Sequence, residues 1–423
     1  MGKSFMSETR SQVQWLQVWS LALVQGAISL AWVVYGIYLP KFIEQVFAYS
    51  LDQAQQLTGL IFVIEGAIAV IIEPVFGGLS DRWQRWFSSR IPLIVAGTIV
   101  STGLYIALPC VVIFGGANAL TQLVLPSLAI LWAIAMATFR SPLLSLLGRF
   151  ASETQLPQAA SIVTLVGGFI SSIRPLATNF IVGLGAPITF TIASISLLAG
   201  VAGLRFAIIY VPKAKKTEVE IDQNQPIRAS LKNLIIILVV GTLIGLSLRL
   251  LLGEVIPHIF TVQISPFLGI SVPILIGAAF IAQSLFALIF GAIAKKIENR
   301  FLMIWSLLGM TGCLGLLSIT LFINNVAIAS SLIILLLLAC MSIVNNGTIP
   351  FALTMVPKSL AGIGVGTYFG GVSLAVSSFG FLRPKFTEIF SISNFFLITA
   401  ITFLGAGVGI FMGYWLQAPS KVE

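Results

Sequence analysis

The stretch "IFVIEGAIAVIIEPVFGGLSDRW", residues 61–83, places two glutamates inside an apolar run and follows them with a charged turn. With its flanks, the run is long enough for a membrane-crossing helix, which needs about 20 mainly apolar residues. Gly77 and Gly78 allow a neighbouring helix to approach closely, and Asp81 comes where the helix is expected to end. The stretch therefore predicts a transmembrane helix with buried carboxyls and a tightly packed, charged end.

The composition of the whole chain agrees with this prediction. Of its 423 residues, 58% are hydrophobic and 9% are charged, and the mean hydropathy is +1.04. A soluble core cannot use so much apolar surface, so we expect an all-α polytopic membrane protein. Twelve segments are each about one membrane thickness long. They are residues 14–39, 55–78, 91–113, 121–148, 158–183, 187–211, 231–256, 267–294, 300–323, 326–356, 362–383 and 392–417.

The distribution of Lys and Arg predicts the orientation of these helices. With both termini in the cytoplasm, sixteen Lys and Arg of the connecting segments and tails are cytoplasmic, and only Lys41, Arg383 and Lys385 are external. Cytoplasmic loops of membrane proteins carry such an excess of positive charge. We therefore expect a multi-pass protein of the cell (inner) membrane with cytoplasmic termini. The net charge of +9 needs no nucleic acid to explain it.

Several classes of function find no support in the sequence. The single histidine, His258, gives no metal-ligand spacing, and the three cysteines, Cys110, Cys313 and Cys340, all fall inside predicted spans, so we expect no disulfide framework. Nucleophile, phosphate-loop and zinc signatures are absent, so an enzyme, a cofactor and a metal site are all disfavoured. The first apolar segment is too long for a cleavable signal peptide, so we expect it to remain in the protein.

The chain also divides into two halves. Residues 212–230, "PKAKKTEVEIDQNQPIRAS", are the longest polar stretch, and six predicted spans lie on each side of it. The ends of the second and eighth spans, at Gly77 and Gly291, both pass from small residues into a charged turn. We therefore predict an N-terminal six-helix bundle at 1–211, a cytoplasmic linker at 212–230 and a C-terminal bundle at 231–423. In transporters of this plan the solute site lies near the midplane, between the bundles.

These residues carry a resemblance to a known family. The turn "GGLSDR", residues 77–82, is similar to the G-x-L-a-D-r signature that follows the second helix of the major facilitator superfamily. The loop "SDRWQRWFSSRIP", residues 80–92, most resembles the version in sucrose transporters and in glycoside, pentoside and hexuronide:cation symporters. A second similarity to that branch covers residues 139–161. The resemblance implies the major facilitator fold, transport by alternating access and a sugar or glycoside as solute.

The turn after the second span is expected to control access from the cytoplasm. Its matching residues are Gly77, Ser80, Asp81, Arg82 and Arg90. Asp81 can accept hydrogen bonds from a helix N-terminus or from an arginine in the next element, and such a contact would hold the cytoplasmic side in one state. The alternative is a solvated loop that only follows the positive-inside pattern.

Four charged residues lie inside the predicted spans of the first half. At ~1.5 Å per residue, Glu73 and Arg140 lie roughly 8 and 12 Å from the cytoplasmic ends of their spans, and Glu65 and Arg174 lie roughly 20 and 24 Å deep. An isolated charge at the bilayer centre costs about 2.5–3.5 kcal/mol, so we expect two ion pairs, Glu73 with Arg140 and Glu65 with Arg174. Either pair can be purely structural, but the deeper pair is the better candidate for proton coupling.

A solute site in the bundle interior needs aromatic faces and hydrogen-bonding groups. Candidate cavity residues are Gln25, Trp32 and Tyr35 in the first span, Arg249 in the seventh, and Asn345 and Asn346 in the tenth. Near these asparagines, Gly347 and Pro350 could break the helix and expose its backbone to a cavity. The aromatic residues can equally belong to the core or the lipid belt. Arg249 can pair with Glu254 or, unpaired, bind an anion.

We therefore expect a secondary active transporter that moves a small polar solute, with a sugar or glycoside implied by the resemblance, in symport with protons through Glu65. We expect a monomer in the lipid bilayer that needs no cofactor. An organic-anion exporter or exchanger is the alternative if Arg249 and Arg174 face the cavity unpaired. A transporter-like assembly or delivery factor for membrane pigment proteins is a further alternative, which an apolar, closed cavity would favour.

Overall fold

The computed structural model describes residues 13–210, 231–294, 297–323, 326–383 and 391–417, and the predicted linker at 212–230 lies outside them. Within the described ranges, twelve helices are long and apolar enough to cross a membrane, judged by length and composition. The predicted all-α polytopic fold is therefore confirmed. The helices are α1 (Trp15–Phe47), α2 (Leu51–Phe87), α3 (Ile91–Gly115), α4 (Ala119–Ser145), α5 (Leu156–Leu184), α6 (Ala186–Tyr210), α7 (Leu231–Leu268), α8 (Val272–Ile293), α9 (Asn299–Thr320), α10 (Ala327–Thr354), α11 (Ala361–Leu382) and α12 (Ile392–Gln417).

Helix α2 is longer than the sequence predicts. It has 37 residues and ends at Phe87, whereas the apolar pattern predicts an end at residue 78. The apolar run ends before the helix does, because the side chains after residue 78 are polar and face water or other helices. Polar side chains do not interrupt the backbone hydrogen bonds of a helix. Asp81 therefore lies within the last two turns of α2 rather than in a loop. We call the end of the molecule that contains Asp81 the Asp81 side, and the opposite end the far side.

Helix α7 also continues past its predicted end at residue 256. It passes through π-helical turns at Leu251–Val255 and Phe260–Ile264 before it ends at the far side. A proline follows each turn closely, at Pro257 and Pro266. Proline removes a backbone donor from a helix, and π-helical turns are one way in which a helix accommodates such an interruption.

The buried apolar side chains form two clusters, one for each half of the chain. The first extends from Val13 to Leu204 with four members from the second half, and the second extends from Ile237 to Ile410. The main contacts between the halves join α2 to α11 and α5 to α8. A shift by six helices converts one of these pairs into the other, as expected for two repeated bundles. The domain bounds at 211 and 231 stay a prediction, because the linker lies outside the described residues.

Small residues bring α2 and α11 into backbone contact on the Asp81 side. Gly362, Gly366 and Gly370 recur every four residues along α11, a spacing typical of close helix packing. A Cβ atom added at Gly362 would overlap the carbonyl oxygen of Gly77, and one added at Gly366 would overlap that of Glu73. We call this contact the α2–α11 seam. It consists of Glu73, Gly77 and Asp81 of α2 and of Gly362, Ile363 and Gly366 of α11.

The interface between α5 and α8 is equally close on the same side. Gly291 of α8 lies against the start of α5, and a Cβ atom added there would overlap the side chain of Ser161. Gly77 and Gly291 thus occupy equivalent positions in the two halves, each at a close contact with the other half. The two interfaces together join the two halves on the Asp81 side of the molecule.

Candidate functional site

A cavity of about 1040 Å³ lies between the two halves. It is formed by α1, α4 and α5 of the first half and by the start of α8, which places its opening on the far side. Apolar side chains such as Ile28, Val33 and Ile274 make up much of the wall. The polar, charged and aromatic lining side chains include Gln25, Ser29, Trp32, Arg140, Ser171, Arg174, Thr178 and Asn179. Of the predicted cavity residues, Gln25 and Trp32 thus line it.

Helix α5 contributes a polar stripe that the sequence analysis missed. Ser171, Arg174 and Thr178 are three and four residues apart and therefore share one face of the helix, and Asn179 lies beside them. The spacing is visible in the sequence as polar positions on one side of an apolar helix, which is the usual signal for a face turned toward a cavity. Of this stripe, only the charged Arg174 was predicted as a site residue.

Arg174 faces this cavity, and in the part of the chain that the structure describes it makes no ion pair. Its guanidinium packs against α1, where a Cβ atom added at Gly36 would lie 3.7 Å from Nη1. The predicted contact with Glu65 is not formed. The physical reason is that the Arg174 side chain is exposed to the cavity, where water can solvate its charge, so it needs no buried counter-charge.

Glu65 instead bonds to α1. The Tyr35 hydroxyl donates a hydrogen bond to Glu65 Oε1, and both side chains are buried. The Tyr35 ring packs against Trp132 at a centroid distance of 4.4 Å and against Phe62 at 5.7 Å. Tyr35 was predicted to line the cavity, but its ring belongs to this aromatic cluster of the first bundle. Trp32 belongs both to the cavity wall and to the aromatic cluster, because it lines the cavity and packs edge-on against Tyr35.

Glu73 and Arg140 form the ion pair that the sequence predicts. Arg140 Nη1 donates to Glu73 Oε1 at 3.3 Å, with the arginine 24% exposed and the glutamate 1% exposed. The guanidinium also stacks on Phe369 of α11, 4.1 Å from the ring centroid. Arg140 therefore touches both halves of the molecule and forms part of the cavity floor.

Asp81 makes both contacts that the sequence suggests for it. Its two carboxylate oxygens accept hydrogen bonds of 2.9 Å from the backbone N–H groups of Gly362 and Ile363, at the N-terminus of α11. Asp81 also pairs with Arg90, which lies in the α2–α3 link and is 2% exposed. Burial lowers the pKa of the Arg90 guanidinium, and the charge of Asp81 opposes that shift.

The other residues of this motif have different surroundings. Ser80 is fully buried and donates to the carbonyl oxygen of Gly77 at 2.7 Å, which keeps its hydroxyl within α2. Arg82 is exposed. Within this motif, Gly77 by close packing and Asp81 by hydrogen bonds therefore link the two halves on this side.

Arg249 does not line the cavity. Its predicted alternative partner, Glu254, pairs with Arg383 at 2.9 Å. The guanidinium of Arg249 lies 5.4 Å from the ring centroid of Phe379 on α11. Among the described residues, Arg249 forms no salt bridge within 4 Å, but the charge of Glu254 acts on it and its guanidinium faces an aromatic ring.

The predicted helix break near Asn345 and Asn346 is wrong. Helix α10 is continuous from Ala327 to Thr354, with Pro350 inside it. The buried side chain of Asn346 donates to the carbonyl oxygen of Ala287 at 2.9 Å, so it joins α10 to α8. Asn299 donates to the carbonyl oxygen of Gly347 at 3.0 Å. Neither Asn345 nor Asn346 lines the cavity.

No known protein family and no curated protein matches the sequence of this chain. Solved structures do match its fold. A bacterial homologue of the iron transporter ferroportin in an outward-facing state has a TM-score of 0.68 at 14% identity, over 94% of this chain and 99% of that chain. A bacterial ferroportin homologue in an outward-facing state with soaked iron has a TM-score of 0.70 at 12% identity, over 95% of this chain and 99% of that chain. The human organic anion transporter MFSD10 (TETRAN) has a TM-score of 0.65 at 14% identity, over 94% and 99%.

At these identities the likeness shows the fold alone. It extends over nearly the whole length of each chain, so it includes all twelve helices and their order. The resemblance to the sucrose and glycoside branch receives no support from these structures and stays a prediction. The chain therefore has the twelve-helix fold of major facilitator-type transporters.

Proposed function

We propose that this protein is a membrane transporter that moves a small organic anion by alternating access. The observation that carries the proposal is the charge of the cavity. Arg174 and Arg140 line it, and the described residues of its lining include neither Asp nor Glu. Glu73, behind the cavity floor, compensates Arg140 in part, whereas Arg174 has no ionic partner among the described residues. A monoanion would therefore neutralise the remaining charge.

The apolar side chains of the cavity wall indicate which kind of anion fits. Ile28, Val33, Leu176, Ile274 and Phe280 surround the arginines. Apolar walls with a few placed polar groups favour a solute that has a hydrophobic body and one charged end. One of the matching structures is a human organic anion transporter, and the solutes of that protein belong to the same broad class.

A neutral sugar is the second candidate. Trp32 offers an aromatic face, and Gln25, Ser29 and Asn179 offer amide and hydroxyl groups in the same cavity. These are the groups that a sugar site uses, and the loop between α2 and α3 resembles that of sugar transporters. An open cavity with polar groups also favours transport over the delivery of pigment to membrane proteins.

The proposal also includes coupling of transport to protons and the orientation of the protein in the cell membrane. Glu65 is the predicted carrier of a proton, and it has a hydroxyl partner but no basic partner among the described residues. The excess of Lys and Arg predicts that the Asp81 side is cytoplasmic, which would open the cavity to the outside. We propose a monomer of the cell membrane with both termini in the cytoplasm.

A ligand screen on the purified full-length protein tests the proposal. Benzenesulfonate, lactate, citrate and inorganic phosphate are the anions, and benzenesulfonamide, sucrose and lactose are the neutral probes. We expect an anion with an apolar body to raise the melting temperature and its neutral amide to leave it unchanged. Stabilisation by the sugars and by none of the anions would replace the anion proposal with the sugar proposal.

A further inference from the structure

The ion pair between Glu73 and Arg140 occupies an unusual position for a structural salt bridge. Arg140 is one quarter exposed to the cavity, whereas Glu73 beneath it is almost fully buried. A solute in the cavity can therefore reach the guanidinium but not the carboxylate. An anion at Arg140 would compete directly with Glu73.

The hydrogen bonding of the pair is incomplete. One contact of 3.3 Å joins the two side chains, although an arginine and a carboxylate can form two parallel hydrogen bonds. Glu73 Oε2 and Arg140 Nε are both buried without a hydrogen-bond partner. Buried charged groups normally satisfy these positions. The pair is therefore bonded less completely than an arginine–carboxylate pair can be, and one contact must break for the two side chains to separate.

Few other charged or titratable groups face this pair. Helix α4 contributes Arg140 itself, and α11 contributes the buried Tyr368, which lies near Arg140. From α1, Tyr35 bonds to Glu65, two turns away from Glu73 along α2. Arg140 is therefore the only cation that compensates Glu73 among the described residues.

We propose that solute anion and Glu73 compete for Arg140, and that the displaced Glu73 carboxyl takes up a proton, so that one anion and one proton move together. The proton comes from a hydronium ion in the cavity water: its O–H bond breaks and leaves a water molecule as the new O–H bond forms on the carboxyl, while the ion pair to Arg140 is replaced by an ion pair between Arg140 and the anion. Charge balances, since one anion and one proton enter for each pair that opens. The inference rests on the proposed anion transport and assigns a proton site to it.

The location of the pair also connects it to the α2–α11 seam. The backbone carbonyl of Glu73 lies against Gly366, and the Arg140 guanidinium stacks on Phe369 one turn farther along α11. Movement of Arg140 toward a solute would therefore remove a contact with α11 at the top of the seam. Binding in the cavity would thereby weaken the contact that closes the Asp81 side.

Calorimetry on the detergent-purified full-length protein tests the inference. Benzenesulfonate is the main probe, because its charge does not change between about pH 5 and pH 9. Titrations in two buffers with different ionisation enthalpies count the protons exchanged per anion bound. We expect an uptake of about one proton, and an affinity that falls about tenfold for each unit of rising pH where Glu73 is ionised before binding.

Two variants make the test specific. Glu73→Gln should bind benzenesulfonate with no proton uptake and with little dependence on pH, because its neutral amide does not compete for Arg140. Glu254→Gln is the matched control, since it breaks an ion pair away from the cavity and should keep the proton count of the parent. A purely structural role for Glu73 would lower the melting temperature of Glu73→Gln and leave the proton count unchanged.

The outcomes separate this inference from the proposed function. Anion binding with no proton uptake by the parent protein, a measurement that needs no variant, would overturn the inference and leave anion transport standing. Proton uptake that is lost in Glu65→Gln and kept in Glu73→Gln would also overturn it. If benzenesulfonate, lactate, citrate and inorganic phosphate all fail to bind, the proposed function and the inference both fail.

Discussion

Asp81 of α2 accepts a hydrogen bond of 2.9 Å from the backbone N–H of Gly362, which lies 281 positions later in the chain. The carboxylate thus caps the N-terminus of α11, where unpaired N–H groups and the helix dipole favour a negative charge. Because α2 and α11 belong to different halves, this bond and its neighbour to Ile363 fasten the halves together on the Asp81 side.

Replacement of this carboxylate should release the contact. Hydrogen bonds to a charged group contribute about 1.5–3 kcal/mol each, so Asp81→Asn should shift the balance toward an open Asp81 side by tens-fold. A Ser80→Cys reporter in a cysteine-free background, labelled with an impermeant maleimide from the cytoplasm, measures the change. Asp52→Asn, an exposed acid at the other end of α2, should label like the parent. Equal labelling of the Asp81 and Asp52 variants would show that Asp81 does not control access from this side.

The glycines of the seam should be equally sensitive to size. Gly77→Ala would place a Cβ atom onto the carbonyl oxygen of Gly362, so the helices must separate at a cost of about 1–3 kcal/mol. Gly59→Ala is the matched control on the same helix, because an added Cβ atom meets no other atom within 4 Å there. We expect the first variant to raise labelling of the Ser80→Cys reporter and the second to leave it unchanged. Tolerance of alanine at Gly77 would contradict the close packing.

Loss of Arg174 should weaken the binding of anions selectively. A charged hydrogen-bonding group typically contributes about 1.5–3 kcal/mol, so Arg174→Gln should lower the affinity for benzenesulfonate about 10-fold or more. Arg205→Gln removes an equally exposed arginine on α6 that does not line the cavity, and it should bind like the parent. Calorimetric titration gives both affinities. Equal affinities in the two variants would remove Arg174 from the solute site.

Glu65 should separate coupling from solute exchange if it carries a proton. If Glu65 carries the coupled proton, its amide imitates the protonated carboxyl, so accumulation driven by a proton gradient should stop while exchange of solute continues. If Glu73 carries the proton, as inferred above, Glu65→Gln should accumulate solute like the parent. Tyr35→Phe, which removes the hydroxyl partner but keeps the ring, should have a smaller effect on accumulation. The measurement is uptake into proteoliposomes with and without a pH gradient. Normal accumulation by Glu65→Gln would leave Glu65 with a structural role.

Orientation can be tested without a solute. The excess of Lys and Arg predicts that a reporter fused after Glu423 lies in the cytoplasm. A C-terminal alkaline phosphatase fusion should therefore be inactive, and a green fluorescent protein fusion should fluoresce. Strong phosphatase activity would reverse the orientation and would place the cavity opening on the cytoplasmic side.

The sequence predicts those features that depend on local pattern. Apolar segment lengths predict the twelve helices, and the position of Asp81 near the end of the second helix predicts its contact with a helix N-terminus or an arginine. Glu73 and Arg140 also meet as expected, because their similar depths leave few other partners. In each case the prediction depends on the length of a segment or on the position of a residue within it, and both can be counted along the chain.

The features that the sequence does not predict depend on how each helix is rotated. Glu65 and Arg174 have similar depths, yet Glu65 turns toward α1 and bonds to Tyr35, while Arg174 turns toward the cavity. Depth in the membrane does not show which way a side chain points, so it cannot distinguish the predicted Glu65–Arg174 pair from the contacts that the structure shows. The predicted break in α10 failed for a related reason, since the Asn346 side chain turns toward α8 and bonds to Ala287, a contact that the spacing of residues along α10 does not reveal.

Uptake into proteoliposomes tests the central claim, anion transport through the cavity that holds Arg174, most directly. Vesicles with the reconstituted protein are given radiolabelled benzenesulfonate, lactate, citrate or phosphate on one side and, in parallel, labelled sucrose. The account predicts saturable uptake of an organic anion that falls about tenfold or more in Arg174→Gln and persists in Arg205→Gln. Uptake of sucrose with no uptake of any anion, or anion uptake that does not depend on Arg174, would contradict it.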